Sequence, residues 1–143
     1  MTATLNQIQL FTELDEAELE RLHEIAREEY LPAEFTVFKE GDPADAFYVI
    51  KSGSVKIVKT APDHSSKVLA YLREGDFFGE MGIMKDSPRS AAAVTMERST
   101  LVKFRKALFL AFLDENAIIA MKIRSAMVRR YSDNVFAFSK PSR

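Results

Sequence analysis

Between Phe35 and Phe104 the chain is a series of short β-rich runs, each closed by residues that turn the backbone, and this punctuation limits its fold severely. The runs read FTVFK, AFYVIK, SVKIVKT, KVLAYLR, a short FF, AAAVTM and TLVKFR. Between them stand Gly41-Asp42-Pro43, Ser52-Gly53, Ala61-Pro62-Asp63, Glu74-Gly75-Asp76 and Ser87-Pro88. Val55 and Ile57 alternate with lysines, and Val68, Ala70 and Leu72 repeat with period two, as a strand with one covered face requires. Short strands at this spacing predict an antiparallel sandwich or closed barrel and leave no room for the crossover helices of a parallel sheet.

On either side the apolar period is helical. Leu14, Leu19, Leu22, Ile25 and Ala26 lie mostly three to five residues apart with acids among them, which predicts an amphipathic helix within residues 5–31. Thr12 with Asp15, or Asp15 with Glu18, has the form of an N-cap with an acid at the third helical position. Pro32 ends the helix, because the residue before a proline is biased away from helical geometry. Past Arg105 the spacing predicts further helices over 106–135: LFLAFL as a short one, then a second that Asp114 or Asn116 caps. On that second helix Ile119, Ile123, Met127 and Tyr131 step by four, and Ala117, Met121, Val128 and Val135 form another stripe. Two stripes imply two packing duties, one against the β-structure and one toward a partner or ligand. With no repeat or linker, residues 1–143 read as one domain: mainly β, an antiparallel β-roll over 34–105 with an N-terminal helix and C-terminal helices.

Composition removes several function classes. The 143 residues include no cysteine, so disulfides and thiolate metal sites are excluded. His23 and His64 alone do not make a zinc site, and no metal is expected. A net charge of −1, from 20 basic and 21 acidic side chains, supplies no global field for nucleic acid. The basic residues near the end, from Lys122 to Arg143, read as a solvated helix face, and the span after residue 135 has no room for a DNA-reading module. No DNA or membrane partner is expected. The start lacks the pattern of a signal peptide, so the expected location is cytoplasmic. No nucleophile elbow, Walker loop or histidine beside a nucleophile is present, so the chain does not read as an enzyme.

The chemistry concentrates between Phe77 and Val94, FFGEMGIMKDSPRSAAAV. Gly79 and Gly82 let the backbone approach a ligand closely. A helical turn from Glu80 through Met81, Gly82 and Ile83 to Met84 would present unpaired amides to an anion. Arg89 supplies a full charge in a planar fork suited to two phosphate oxygens, Ser90 adds a hydroxyl, and Ala91 to Ala93 keep the wall narrow for a flat ring. With Glu80 as acceptor for a sugar hydroxyl, this is the chemistry that holds a small cyclic phosphodiester.

The pattern FGEMGIM followed by PRSA, with Arg89 nine residues after Glu80, resembles the phosphate-binding cassette of the cyclic nucleotide-binding domain family. That family includes bacterial catabolite activators, kinase regulatory subunits and cyclic nucleotide-gated channels. FKEGDPADAFYVIKSGSVKIV resembles its early β-roll and LFTELDEAELERL its N-terminal helix, so the resemblance covers nearly the whole chain. It implies a jelly-roll barrel with the cassette at 78–91. Glu80 would then accept from the ribose 2′-hydroxyl, and Arg89 would pair with the cyclic phosphate. Gly79, Gly82, Ile83, Ser90 and Ala91 would complete the cradle, while Val68, Leu72 and Met81 would touch base or sugar. Arg130 or Tyr131, on the last helix, would lid the base. The implied ligand is cyclic AMP ahead of cyclic GMP, since the family's bacterial members mostly use it. The alternative is a ligand-independent module of the same fold that pairs with itself or an effector protein through the last helix. Gly82 stands where many members carry alanine.

Overall fold

The computed structural model describes residues 8–80 and 86–139, the side chains of Gln9 and of 130–139 excepted. After a 3₁₀ turn at Gln9–Phe11 comes helix α1, Glu16–His23. Its start is a capping box: the Asp15 carboxylate accepts from the Glu18 N–H at 2.8 Å, and the Glu18 carboxylate accepts from the Asp15 N–H at 2.9 Å. Eight strands follow: β1 Ala26–Leu31, β2 Thr36–Phe38, β3 Ala46–Ser52, β4 Ser54–Thr60, β5 Ser66–Arg73, β6 Phe77–Phe78, β7 Ala92–Thr95 and β8 Ser99–Arg105. Helices α2, Lys106–Glu115, and α3, Ala117–Ser139, come last.

All strand pairs are antiparallel and form two four-stranded sheets, β1-β8-β3-β6 and β2-β7-β4-β5. Among the described residues no ladder joins the sheets. The expected jelly roll is therefore present with its barrel open, a sandwich whose sheets meet through side chains.

β3 explains why the layers stack as they do, because Ala46 to Ile50 are all buried. Period-two geometry sends these residues to opposite faces. Ala46, Tyr48 and Ile50 join Val55, Phe78, Ala93 and Leu101 between the two sheets. Phe47 and Val49 join Phe11, Leu22, Phe104, Phe109, Ile119, Ile123 and Met127 between the first sheet and the helices. Phe47 stacks on Phe104 at 5.0 Å and meets Phe109 edge-on at 4.6 Å, which fixes α2 to the sheet. The layers run helices, sheet, sheet.

Two sequence expectations change here. The helix expected over 5–31 stops at His23, and Ala26–Leu31 is a strand. Its residues, AREEYL, favour a helix by propensity, but each pairs with β8, from Ala26 opposite Phe104 to Leu31 opposite Ser99. Tertiary pairing overrides a weak local preference. The charges on this edge strand are used across it: Glu28 holds Lys51 at 2.6 Å and Glu29 faces Lys103 at 3.8 Å. By hydrophobicity Phe11, Phe35, Phe38, Phe47, Phe77, Phe78 and Phe104 all read as core, yet Phe35 is 43% exposed.

The basic residues of α3 are partly matched by the acidic α1 region. Lys122 pairs with Glu18 and Arg129 with Glu13, each at 2.8 Å. Asn116 rather than Asp114 precedes α3, and its carbonyl accepts the Ala120 N–H.

The β3–β4 turn depends on one glycine. Gly53 sits at φ +99°, and a Cβ there would lie 2.2 Å from Ser99 Oγ and 2.7 Å from Ser99 Cα. Left-handed strain and this overlap should add, so Gly53→Ala is expected to lower unfolding stability by about 2–4 kcal/mol. Urea denaturation followed by circular dichroism measures it, and a loss below about 0.5 kcal/mol, the ordinary range for surface substitutions, would contradict the packing described.

Candidate functional site

The site forms where β6 ends and β7 begins, facing the start of β3. Gly79 follows β6 at φ +86°, a left-handed conformation that suits glycine. Phe77 and Phe78 pair with Val49 and Tyr48 of β3, which anchors the segment leading into Glu80. Ala91 and Ala93 are buried, and β7 crosses to pair with both β2 and β4. Only small side chains let this wall come so close.

Arg89 is the centre of the arrangement and is only 6% exposed. Its Nη1 donates to the Gly79 carbonyl at 2.7 Å, and its Nη2 donates to the Ala46 carbonyl. Its Cζ lies 4.0 Å from the centroid of the Phe38 ring, within cation–π range. The buried Nε has no hydrogen-bond partner among the described residues. Burial pushes the guanidinium below its ordinary pKa, while Tyr48, Asp45, Glu80 and Asp42 act in the opposite direction. Glu80 is itself buried. A cation held out of water beside a carboxylate, with one donor unused, suits a small anion that also carries a hydroxyl.

The turn after β2 holds Arg89 by its backbone. The Gly41 N–H donates to the Arg89 carbonyl at 2.8 Å, and the Arg89 N–H donates to the Asp42 carbonyl at 2.9 Å. Asp42 closes its own turn by accepting the Lys39 N–H at 2.9 Å. Lys59 of β4 donates to the Ser90 carbonyl at 2.8 Å and pairs with Glu40 at 3.0 Å, tying the same turn to the segment after Arg89. Sequence reasoning missed this support. The Gly41-Asp42-Pro43 cluster read only as a turn, and period two read Lys59 only as an outward lysine.

Several expected site residues do come together: Gly79, Glu80, Arg89 and Ala91 are gathered here, with Ser90 exposed at the rim. Val68 and Leu72 lie half-buried on the inward face of β5, and Leu72 packs against the core between the sheets. Met81, Gly82 and Ile83, and with them the helical turn expected from Glu80 to Met84, lie outside the described residues. Arg130 and Tyr131 fall on α3, where their side chains are also outside them. Phe38 and Phe78 read only as core in the sequence, and Tyr48 was not singled out, yet the three form an aromatic floor. Tyr48 stacks on Phe78 at 5.3 Å, and Phe38 carries the guanidinium. Among the described residues no cluster of acids and histidines could hold a metal, and no helix is long and apolar enough to cross a membrane.

Comparison with known proteins finds related sequences and the same fold elsewhere. Residues 28–116 match a family model described as the cyclic nucleotide-binding domain. A CRP-like cAMP-activated global transcriptional regulator of Mycobacterium tuberculosis is 32% identical over 99 residues, 69% of this chain and 44% of that protein. The cyclic AMP receptor protein of Thermus thermophilus is 31% identical over 94 residues, 66% of this chain and 44% of that protein. The chain thus spans less than half the length of these relatives. Among solved structures, the N-terminal domain of a transcriptional regulator from Streptomyces coelicolor superposes with a TM-score of 0.79 at 28% identity, covering 97% of this chain and 99% of that one. The Thermus thermophilus catabolite activator protein gives 0.80 at 26%, covering 90% and 61%.

Two outcomes follow from this geometry. At Gly79 an added Cβ would sit 3.0 Å from Arg89 Nη1 in a left-handed backbone, so Gly79→Ala is expected to lower stability by about 1–2 kcal/mol in chemical denaturation. Tyr48 is buried and its hydroxyl is pushed up to about 12, burial being the main cause and Glu29 a smaller one. The folded state thus keeps its proton where the unfolded state has lost it, and this stabilisation is complete below pH 10 and fades between about pH 10 and 12. Absorbance titration near 295 nm should show a tyrosine ionisation near pH 12 in wild type that Tyr48→Phe lacks.

Proposed function

Because the chain belongs to the cyclic nucleotide-binding domain family, we propose that it is a non-catalytic receptor for a cyclic nucleotide, with cyclic AMP preferred to cyclic GMP. The observation that carries this reading is the buried Arg89 guanidinium, held by two carbonyls over Phe38 with its Nε unpartnered. An exocyclic phosphate oxygen supplies the missing acceptor and the missing negative charge. Glu80 takes the ribose 2′-hydroxyl, and Ser90 and the amides of the Gly79–Ile83 segment take the remaining phosphate oxygens. Val68 and Leu72 form the wall beside the sugar and base. The preference for cyclic AMP leans on the two relatives whose names carry that ligand.

Binding shifts an existing equilibrium of the last helix. In the occupied state α3 closes over the base and brings Arg130 or Tyr131 onto it. The exposed stripe on α3 supports a second role. Met121 and Val128 are 58% and 62% exposed, and Ala117 continues the row. A self-complementary apolar row of this kind suits a homodimer or the helix of an effector protein. A ligand-independent dimer built on this row is the alternative reading.

Calorimetric titration of the protein with each nucleotide tests the proposal. Charge-assisted hydrogen bonds contribute roughly 1.5–3 kcal/mol each, so Arg89→Ala should weaken binding by about tenfold or more. No heat with either nucleotide, or equal affinity in wild type and Arg89→Ala, would overturn it. Sedimentation with and without nucleotide separates the alternative, which requires a dimer indifferent to both.

A further inference from the structure

A second concave surface lies on the first sheet, at the junction of β1, β8 and the start of α2. It encloses about 780 Å³ and is lined by Arg27, Asp45, Lys103, Arg105, Lys106, Leu108 and two neighbours, Ala107 and Leu110. Four cations face one carboxylate, in a chain whose net charge is −1. Arg27 stands directly opposite Lys103 in the β1–β8 register, and Arg105 lies two residues further along β8 on the same face. Like charges directly opposed across strands are destabilising unless something answers them.

Among the described residues only two of the four are answered by an acid. Lys106 is paired with Asp86 at 2.6 Å and Lys103 with Glu29 at 3.8 Å. The side chains of Arg27 and Arg105 make no ion pair or hydrogen bond among the described residues. The first turn of α2 carries no acid, and Arg105 precedes it without a side-chain cap, so the positive end of that helix adds to the same field. Beside the cations Leu108 and Leu110 are 49% and 36% exposed, an aliphatic rim that a bare phosphate or metal-free anion has no use for.

We propose that this groove docks an acidic segment of another protein, one that places carboxylates on Arg27 and Arg105 and an aliphatic side chain against Leu108. The choice of occupant rests on charge complementarity combined with the leucine rim. Arginine's fork suits bidentate carboxylates, and the apolar contact distinguishes a peptide from a simple anion. The groove adjoins the Arg89 site, since Asp45 acts on the Arg89 guanidinium and Lys103 Nζ lies 6.0 Å from the centroid of the Tyr48 ring.

Fluorescence anisotropy with a labelled twelve-residue peptide of alternating Glu-Glu-Leu triplets tests this at low ionic strength. Saturable binding is expected, weakened at least tenfold in Arg27→Glu/Arg105→Glu and several-fold in Leu108→Ser. The same titration with Lys67→Glu/Arg98→Glu, a charge reversal placed elsewhere on the surface, should match wild type. Thermal melts of each variant establish that it is folded, and Arg27→Gln/Arg105→Gln gives a milder pair should the reversal unfold the protein. Absence of saturable binding, or equal loss in the control reversal, overturns the proposal. Competition by inorganic phosphate with no effect of Leu108→Ser also overturns it, and would reassign the groove to small anions.

Discussion

The burial of β3 on both faces is the constraint from which the rest of the architecture follows. A strand whose five consecutive residues, Ala46 to Ile50, are all removed from solvent must have a layer on each side. Helices supply one and the second sheet supplies the other. The same strand delivers the site. The carbonyl of Ala46 takes the Arg89 guanidinium, and the ring of Tyr48 stacks on Phe78 beneath it. Core and site therefore share atoms, and the position of the cation is as rigid as the sandwich that holds it.

Keeping a guanidinium out of water is unfavourable unless its donors are used. Here two go to carbonyls, its face rests on Phe38, and carboxylates of Glu80, Asp45 and Asp42 lower the local potential. The Nε is left over. Its backbone is clamped by the Gly41–Asp42 turn, which Lys59 and Glu40 tie to β4. The guanidinium is thus oriented by the protein's own groups.

The helical layer connects this site to the surface. Ile119, Ile123 and Met127 of α3 belong to the core that contains Phe47, while Tyr48, its neighbour in sequence, belongs to the core under the site. One strand thus touches both the Arg89 side and the helix side. The opposite face of α3 is left exposed and apolar at Met121 and Val128.

Much of this was legible in the chain itself. Seven of the eight strands follow from short β-rich runs and turn residues, and residue type and spacing left Asp15–Glu18 as one of two candidate caps, because such signals are local. The gathering of Gly79, Glu80, Arg89 and Ala91 was legible too, since charge, glycine and alanine at that spacing have few other uses. What the sequence determined by itself was seven of the eight strands and the nearness of Gly79, Glu80 and Arg89. Tertiary structure decided what depends on distant partners. AREEYL became a strand because β8 was there to pair with it. The two sheets stayed unjoined, Phe38 turned from core residue into a platform for the guanidinium, and Arg27 was set against Lys103. Local propensities amount to a few tenths of a kcal/mol per residue, roughly, whereas ladder pairing and burial act over whole strands, so the long-range terms prevail wherever the two conflict.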